Sequence, residues 1–336
     1  MKNTPSNRPA QLAFVEVLKR AAPLNINLAE EIASLFEISL DSVYRRMRGE
    51  TDFSLEEVVA LCDNFNIPLE DALSPRSKMV SFRANDLSNE SQSFAAYLKV
   101  LYSDLRWVRQ WENAEIIYAA EDLPVFYHFF FPRLARFKMV YWNKSILGSV
   151  DLKQSYVEDI HIPDSWREEV PKIQQTFLEM PSTEIWHEDT LKSTFRQLEY
   201  YASAGYFKDI NVALEVVDEI EALVGMLKAQ AIEGKKYNPI KKEFTDTPYE
   251  LYISDVMIGT NCVFLRSSGQ NASYLGYNTF NFIQTKNEAF NRQSIGWLEN
   301  LITKSEKVSG VSEKNRNRYF AQVAQELEQL RKRISP

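Results

Sequence analysis

Three arginines, Arg45, Arg46 and Arg48, stand within the stretch "SLDSVYRRMRGE" (Ser39–Glu50) of a 336-residue chain whose net charge is −7. A guanidinium offers a rigid fork of donors that can grip two acceptors of a guanine edge or a phosphate. Such a cluster is the chemistry of DNA recognition. It is also what a solvated helix face looks like when its arginines pair with nearby acids, here Glu50 or Asp41. The first 75 residues hold seven Lys/Arg against twelve Asp/Glu, a balance of −5. Any DNA contact must therefore come from a local patch and not from the field of the whole segment.

Other reactive constellations are absent from the sequence. Its three histidines are His128, His161 and His187. His128 sits in "FYHFFF" and is expected as a buried, hydrogen-bonded core residue. His187, in "IWHEDT", has no second ligand at i+4, so metal-ligand spacing is lacking, and Glu188 or Asp189 is expected to cap the helix that follows. Cys62 and Cys262 have no partner spacing, which fits a reducing cytoplasm and excludes a disulfide framework. There is no P-loop, no glycine-rich dinucleotide turn and no nucleophile elbow, and ten glycines leave little material for phosphate-cradling loops. Asn271, Asn278 and Asn281 could line a polar pocket, though turn formation is the stronger expectation. No catalytic residue, metal or cofactor is expected, and the chain is not read as an enzyme.

The elements that must position the arginines are legible. Asn27 can cap a helix at Leu28, with Glu30 three positions on as in a capping box. Leu28, Ile32, Leu35 and Phe36 then share a face. A break at Glu37-Ile38-Ser39 follows, and Ser39 can cap the next helix. Leu40, Val43, Tyr44 and Met47 fall at i, i+3, i+4 and i+7, an apolar stripe that leaves Asp41, Ser42, Arg45 and Arg48 outward and Arg46 on the flank. Gly49 can end the helix. Ser54-x-x-Glu57 is a second capping box, opening a helix expected to bury Leu55, Val58, Val59 and Cys62. Pro68 precedes a last short helix, "LEDAL".

This run resembles the phage-repressor or xenobiotic-response-element type of helix-turn-helix. The marks are Ile32-Ala33 in the first helix, Ile38 after the turn, Val43 in the second, and Arg48-Gly49 followed by a capped helix. The resemblance covers about a fifth of the chain and implies a five-helix DNA-binding fold. Two positions depart from the pattern. Glu37 stands where glycine is usual, and Arg46 replaces an apolar residue late in the second helix.

The resemblance and the outward face imply that Ser39, Asp41, Ser42 and Arg45 lie nearest base edges. Arg46 and Arg48, with Lys19 or Arg20, would contact phosphate.

Beyond the headpiece (residues 1–75), residues 76–92 read as a polar linker. Residues 93–236 read as helical throughout, including "LPVFYHFFFPRLARFKMVYW", a buried helix interrupted at Pro132. Residues 237–336 read as α+β. Short strands at "YELYISDVMI", "CVFLRSS", "ASYLGYN" and "FNFIQT" would form a small antiparallel sheet, followed by helices near 287–304 and 313–334. The expected fold class is thus mainly α.

Two apolar stripes could pair copies of the chain. One is Ile210, Ala213, Val217, Ile220, Val224, Leu227 and Ala231; the other is Phe320, Val323, Leu327, Leu330 and Ile334. The same stripes would equally face the chain's own core.

No run approaches the ~20 apolar residues of a membrane helix, so a cytoplasmic, membrane-free protein is expected. The sequence leads to a DNA-binding transcription regulator acting as a homodimer on double-stranded DNA. Its large body would serve dimerisation or sense a small-molecule or peptide effector, with a pocket sought around Phe126–Trp142 and Tyr249–Thr285. The alternative is a protein-interaction adaptor whose headpiece is only a packing module.

Overall fold

Side-chain caps open three successive helices after residue 26. The computed structural model describes residues 8–22, 26–65, 67–69, 79–84, 93–110, 112–146, 155–162, 164–277 and 281–335. The helix expected from Leu69 and the linker over 76–92 lie largely outside them. The chain divides into two compact units, Met1–Phe82 and Arg83–Pro336.

The first unit contains α1 (Pro9–Ala21), α2 (Leu28–Phe36), α3 (Leu40–Met47) and α4 (Leu55–Asn64). Asn27 accepts from the Ala29 amide, Ser39 from Ser42, and Ser54 forms a complete capping box with Glu57. Asn27 acts alone, without the reciprocal bond expected from Glu30. The helices enclose a core of Phe14, Val15, Leu18, Ala29, Ile32, Val43, Val58, Leu61 and Cys62. Ala29 replaces Leu35 in it, and Leu61 replaces Leu55 and Val59. These three expected core residues are exposed.

The second unit begins with β1 (Arg83–Ala84), α5 (Ser93–Arg109), β2 (Glu115–Ala120), α6 (Val125–His128) and α7 (Pro132–Tyr141). It continues through α8 (Asp164–Leu178), β3 (Ser182–His187), α9 (Thr190–Ser203) and α10 (Ile210–Glu233). Then come β4 (Lys235–Asn238), β5 (Glu243–Ser254), β6 (Cys262–Arg266), β7 (Asn271–Tyr277) and β8 (Asn281–Thr285). The last elements are α11 (Glu288–Thr303), β9 (Glu306–Lys307) and α12 (Glu313–Ile334).

Among the described residues the strands make one sheet in the order β1-β8-β7-β6-β2-β3-β5-β4, with β9 against β5. The pairs β2–β3 and β3–β5 are parallel and the rest antiparallel. The small antiparallel sheet expected for residues 237–336 is therefore a larger, mixed one. It draws β2 and β3 from the region expected to be wholly helical, so residues 93–236 and 237–336 are not separate domains.

Strand alternation divides the core. Tyr118, Trp186, Leu251 and Val263 face the cluster beneath the helices α5–α10 and α12, while Ile117, Ile185, Cys262 and Phe264 face Leu298 and Leu301 of α11. A sheet covered on both faces makes its inner strands apolar on both sides, which erases the period-two signal.

The two apolar stripes are spent inside this core. Ala213, Val217, Ile220, Val224, Leu227 and Ala231 of α10 are buried, as are Phe320, Val323, Leu327, Leu330 and Ile334 of α12. Neither offers a free seam for a second copy. Asp209 and Gly234 bound α10 as expected, the glycine at φ +64°.

Candidate nucleic-acid interface

The face of α3 is set by which residues its neighbours capture. Three residues join α2 to α3, and Glu37 adopts a left-handed backbone, φ 53° and ψ 41°. That costs a residue with a Cβ on the order of 1 kcal/mol. At the other end Gly49 sits at φ +72°, and α1 fastens the turn: Arg8 Nη1 donates to the Gly49 carbonyl at 3.1 Å, and Gln11 Nε2 to Arg46 O at 2.7 Å and Thr51 O at 2.8 Å.

Of the expected stripe only Val43 is buried and Met47 partly so; Leu40 and Tyr44 are each 43 % exposed. The inward side is Val43, Arg46 and Met47. The outward side is Leu40, Asp41, Tyr44, Arg45 and Arg48, with the cap Ser39 at its start.

On the inward side Arg46 is held by the start of α4. Arg46 Nη2 meets Glu57 Oε1 at 3.1 Å and Nε meets Oε2 at 3.4 Å, while Nη1 donates to the Ser42 hydroxyl at 2.6 Å. Glu57 Oε2 also accepts the Ser54 amide at 2.8 Å, closing the cap of α4. Arg46 thus ties α3 to the start of α4. The Arg46 guanidinium, expected on phosphate, is held within the unit, and the Ser42 hydroxyl is likewise engaged within its own helix.

Arg45 and Arg48 remain at the surface, both beside Glu50. Arg48 Nε lies 2.7 Å from Glu50 Oε1, and Arg45 Nε lies 3.6 Å from Oε2. The hydrogen bond from Arg48 holds the Glu50 carboxyl below its usual range and raises the Arg48 guanidinium. Lys19 pairs with Glu16 at 2.8 Å.

His128 is buried without a hydrogen bond of good geometry at either ring nitrogen, contrary to expectation, and burial pulls it down to about 3. His187 Nδ1 accepts the Asp189 amide at 3.1 Å. Asp189 stands at the cap of α9 without a capping bond; its carboxylate is taken by Lys192 at 3.0 Å. Among the described residues no group of His, Cys, Asp and Glu could hold a metal, and no helix is long and apolar enough to cross a membrane. Asn281 is buried at the start of β8, its side chain accepting the Phe282 amide, and Asn271 begins β7; neither is among the residues lining the cavity between α5 and the sheet. Asn278 lies outside the described residues.

Two buried polar groups in the second unit carried no sequence signal. Lys138 Nζ meets Asp122 Oδ2 at 3.0 Å and Gln197 Oε1 at 2.8 Å in a site closed to water. Glu184 accepts from Tyr127 Oη at 2.7 Å and Trp186 Nε1 at 2.9 Å, and burial pushes its carboxyl up to about 7. Lys236, also buried, donates to the Phe177 carbonyl at 2.7 Å, and burial pulls it down to about 7. Nearby, a cavity of about 60 Å³ lies between α5 and the sheet, touching Phe126, Val263, Tyr274 and Gln284. It falls where a pocket was sought but below the ~300 Å³ of an ordinary ligand site.

No protein-family model, no curated protein and no solved structure matches the chain.

Proposed function

We propose that the chain is a sequence-specific DNA-binding transcription regulator, with α2 and α3 as a helix-turn-helix and α3 as the recognition helix. The observation that supports this is the outward face of α3: Ser39, Asp41, Tyr44, Arg45 and Arg48 lie together on a short helix held at both ends by its neighbours. Ser39, Asp41 and Arg45 reach base edges, Arg48 reaches phosphate, and Arg46 holds the frame. Glu50 must release Arg45 and Arg48 on binding. Two headpieces at half-sites ~34 Å apart would read a palindrome as a homodimer. Residues 83–336 would supply the pairing surface, from somewhere other than the α10 and α12 stripes, and sense an effector.

The test is genome-wide footprinting of the full chain, followed by binding to the sites found. Discrete sites are expected, and Arg45→Ala with Arg48→Ala should flatten the logarithmic salt slope by roughly 1 per subunit, the phosphate contact of Arg48, and relax base preference through Arg45. Glu50→Gln should tighten binding. An absence of discrete sites, together with an unchanged salt slope in the double variant, would overturn the proposal.

One observation favours a second function, that of a protein-interaction adaptor. Leu40 and Tyr44 put apolar surface on the same face, and Glu50 pairs with both exposed arginines. Footprinting separates the two, because an adaptor occupies no sites of its own.

A further inference from the structure

The floor of the cavity beneath α5 is a single rung of cross-strand neighbours. Arg83 on β1 faces Gln284 on β8, which faces Tyr274 on β7; Tyr274 faces Val263 on β6, and Val263 faces Tyr118 on β2. All five line the cavity, and α5 closes it with Val100, Leu101 and Leu105 and with Asp104.

The two ends of the rung differ in chemistry. At one end Arg83 meets Asp104 of α5 at 2.9 Å while remaining half exposed, and the Gln284 amide donates to Tyr274 Oη at 2.7 Å. Lys286, just past β8 and stacked over Trp107 at 3.9 Å, lies within electrostatic reach of both Arg83 and Asp104. Among the described residues this end sets two cations, Arg83 and Lys286, against one carboxylate, Asp104. At the other end Tyr118 is 2 % exposed. Between the ends the lining is hydrocarbon and aromatic ring.

We propose that this cavity binds a short apolar carboxylate, its acid on Arg83 and its hydrocarbon body along the rung towards Tyr118. The proposal deepens, and rests on, the sensing role given to residues 83–336. Size limits the ligand. At ~10–15 Å³ for each water-sized group, 60 Å³ holds about four to six of them, which suits the hydrocarbon tail of a six-carbon acid whose carboxylate sits at half-exposed Arg83, and excludes a drug-sized molecule. Strand spacing of ~4.8 Å puts Arg83 and Tyr118 four strands apart, so an elongated molecule fits better than a compact one. Arg83 opens the second unit immediately after Phe82, so a ligand held on β1 grips the residue where the chain leaves the headpiece.

The test is calorimetric titration of the full chain, without DNA, with hexanoate and with hexanamide. Because DNA is absent, its outcome is independent of whether the headpiece binds an operator. Hexanoate is expected to bind at least about tenfold more tightly than the amide, a difference of ~1.4 kcal/mol. Arg83→Gln should abolish that preference, and Leu101→Trp should fill the cavity and remove binding of both, with an unchanged circular dichroism spectrum checking the fold. Hexanoate failing to bind at tens of millimolar, equal binding of acid and amide, or undiminished binding to folded Leu101→Trp would each overturn the proposal.

Discussion

Arg46 and its neighbours Arg45 and Arg48 should separate cleanly when each is removed. Arg46 and Glu57 have side chains only 17 % and 18 % exposed, and the pair carries two charged hydrogen bonds, with a third from Arg46 to Ser42. Charge-assisted bonds contribute ~1.5–3 kcal/mol when well shielded, and the residual exposure brings the expected loss to ~1–2 kcal/mol. Arg46→Met should therefore open α3 and α4 about 5- to 30-fold more often, read as faster amide exchange in those two helices under native conditions. Glu57→Gln preserves the capping box, so a cycle with Arg46→Met isolates the ion pair; a coupling of ~1 kcal/mol is expected.

Arg45→Ala and Arg48→Ala, whose side chains are 55 % exposed, should leave exchange in α3 and α4 unchanged. On a bound operator the pattern should invert. The salt slope should survive Arg46→Met at temperatures where the variant is folded, and fall by about 1 with Arg48→Ala. A coupling below ~0.3 kcal/mol would refute the framing role of Arg46. So would a salt slope that drops with Arg46→Met alone.

Two further outcomes concern the buried charges. Glu184 is raised by burial from 4.5 to about 7, so its contribution to stability is full below pH 4.5 and is lost as pH rises through 7. Lys236 is lowered by burial from 10.5 to about 7, so its contribution is present above pH 10.5 and lost as pH falls through 7. The two together place a minimum near pH 7 in a plot of unfolding free energy against pH. Glu184→Gln with Lys236→Met should flatten that plot; a wild-type maximum at pH 7 that the double variant leaves unchanged would contradict it. Lys138→Met leaves Asp122 buried with only the Leu123 amide and the Thr194 hydroxyl, and should cost ~3–5 kcal/mol by urea denaturation. Adding Asp122→Leu should recover much of that loss, and no recovery would show that the penalty is not an unpaired charge.

Local chemistry made the helix boundaries of the first unit readable. Asn27, Ser39 and Ser54 start helices because a short side-chain oxygen reaches an amide two or three residues on, and Gly49 ends α3 because it has no Cβ to strain a left-handed backbone. The strands β5 to β8 were readable too, from aromatic and β-branched runs set between turn residues. β2 and β3 were not. "EIIYAA" and "STEIWH" lie between long helices and are buried on both faces, so neither alternates.

The direction of Arg46 is the same lesson at the scale of one side chain. Spacing placed Leu40, Val43, Tyr44 and Met47 on one stripe, and hydrophobicity alone would turn that stripe inward. Instead Arg46 lies inward against the capping carboxylate of Glu57, 11 residues on, and Leu40 and Tyr44 lie at the surface.

The sequence by itself determined where the headpiece helices begin and end, and that arginines crowd one of them. Only the tertiary structure decided which arginines are free, that both apolar stripes are consumed in the core, and that a rung from Arg83 to Tyr118 exists. Each of those depends on residues far apart in the chain being brought into register, which no local pattern encodes.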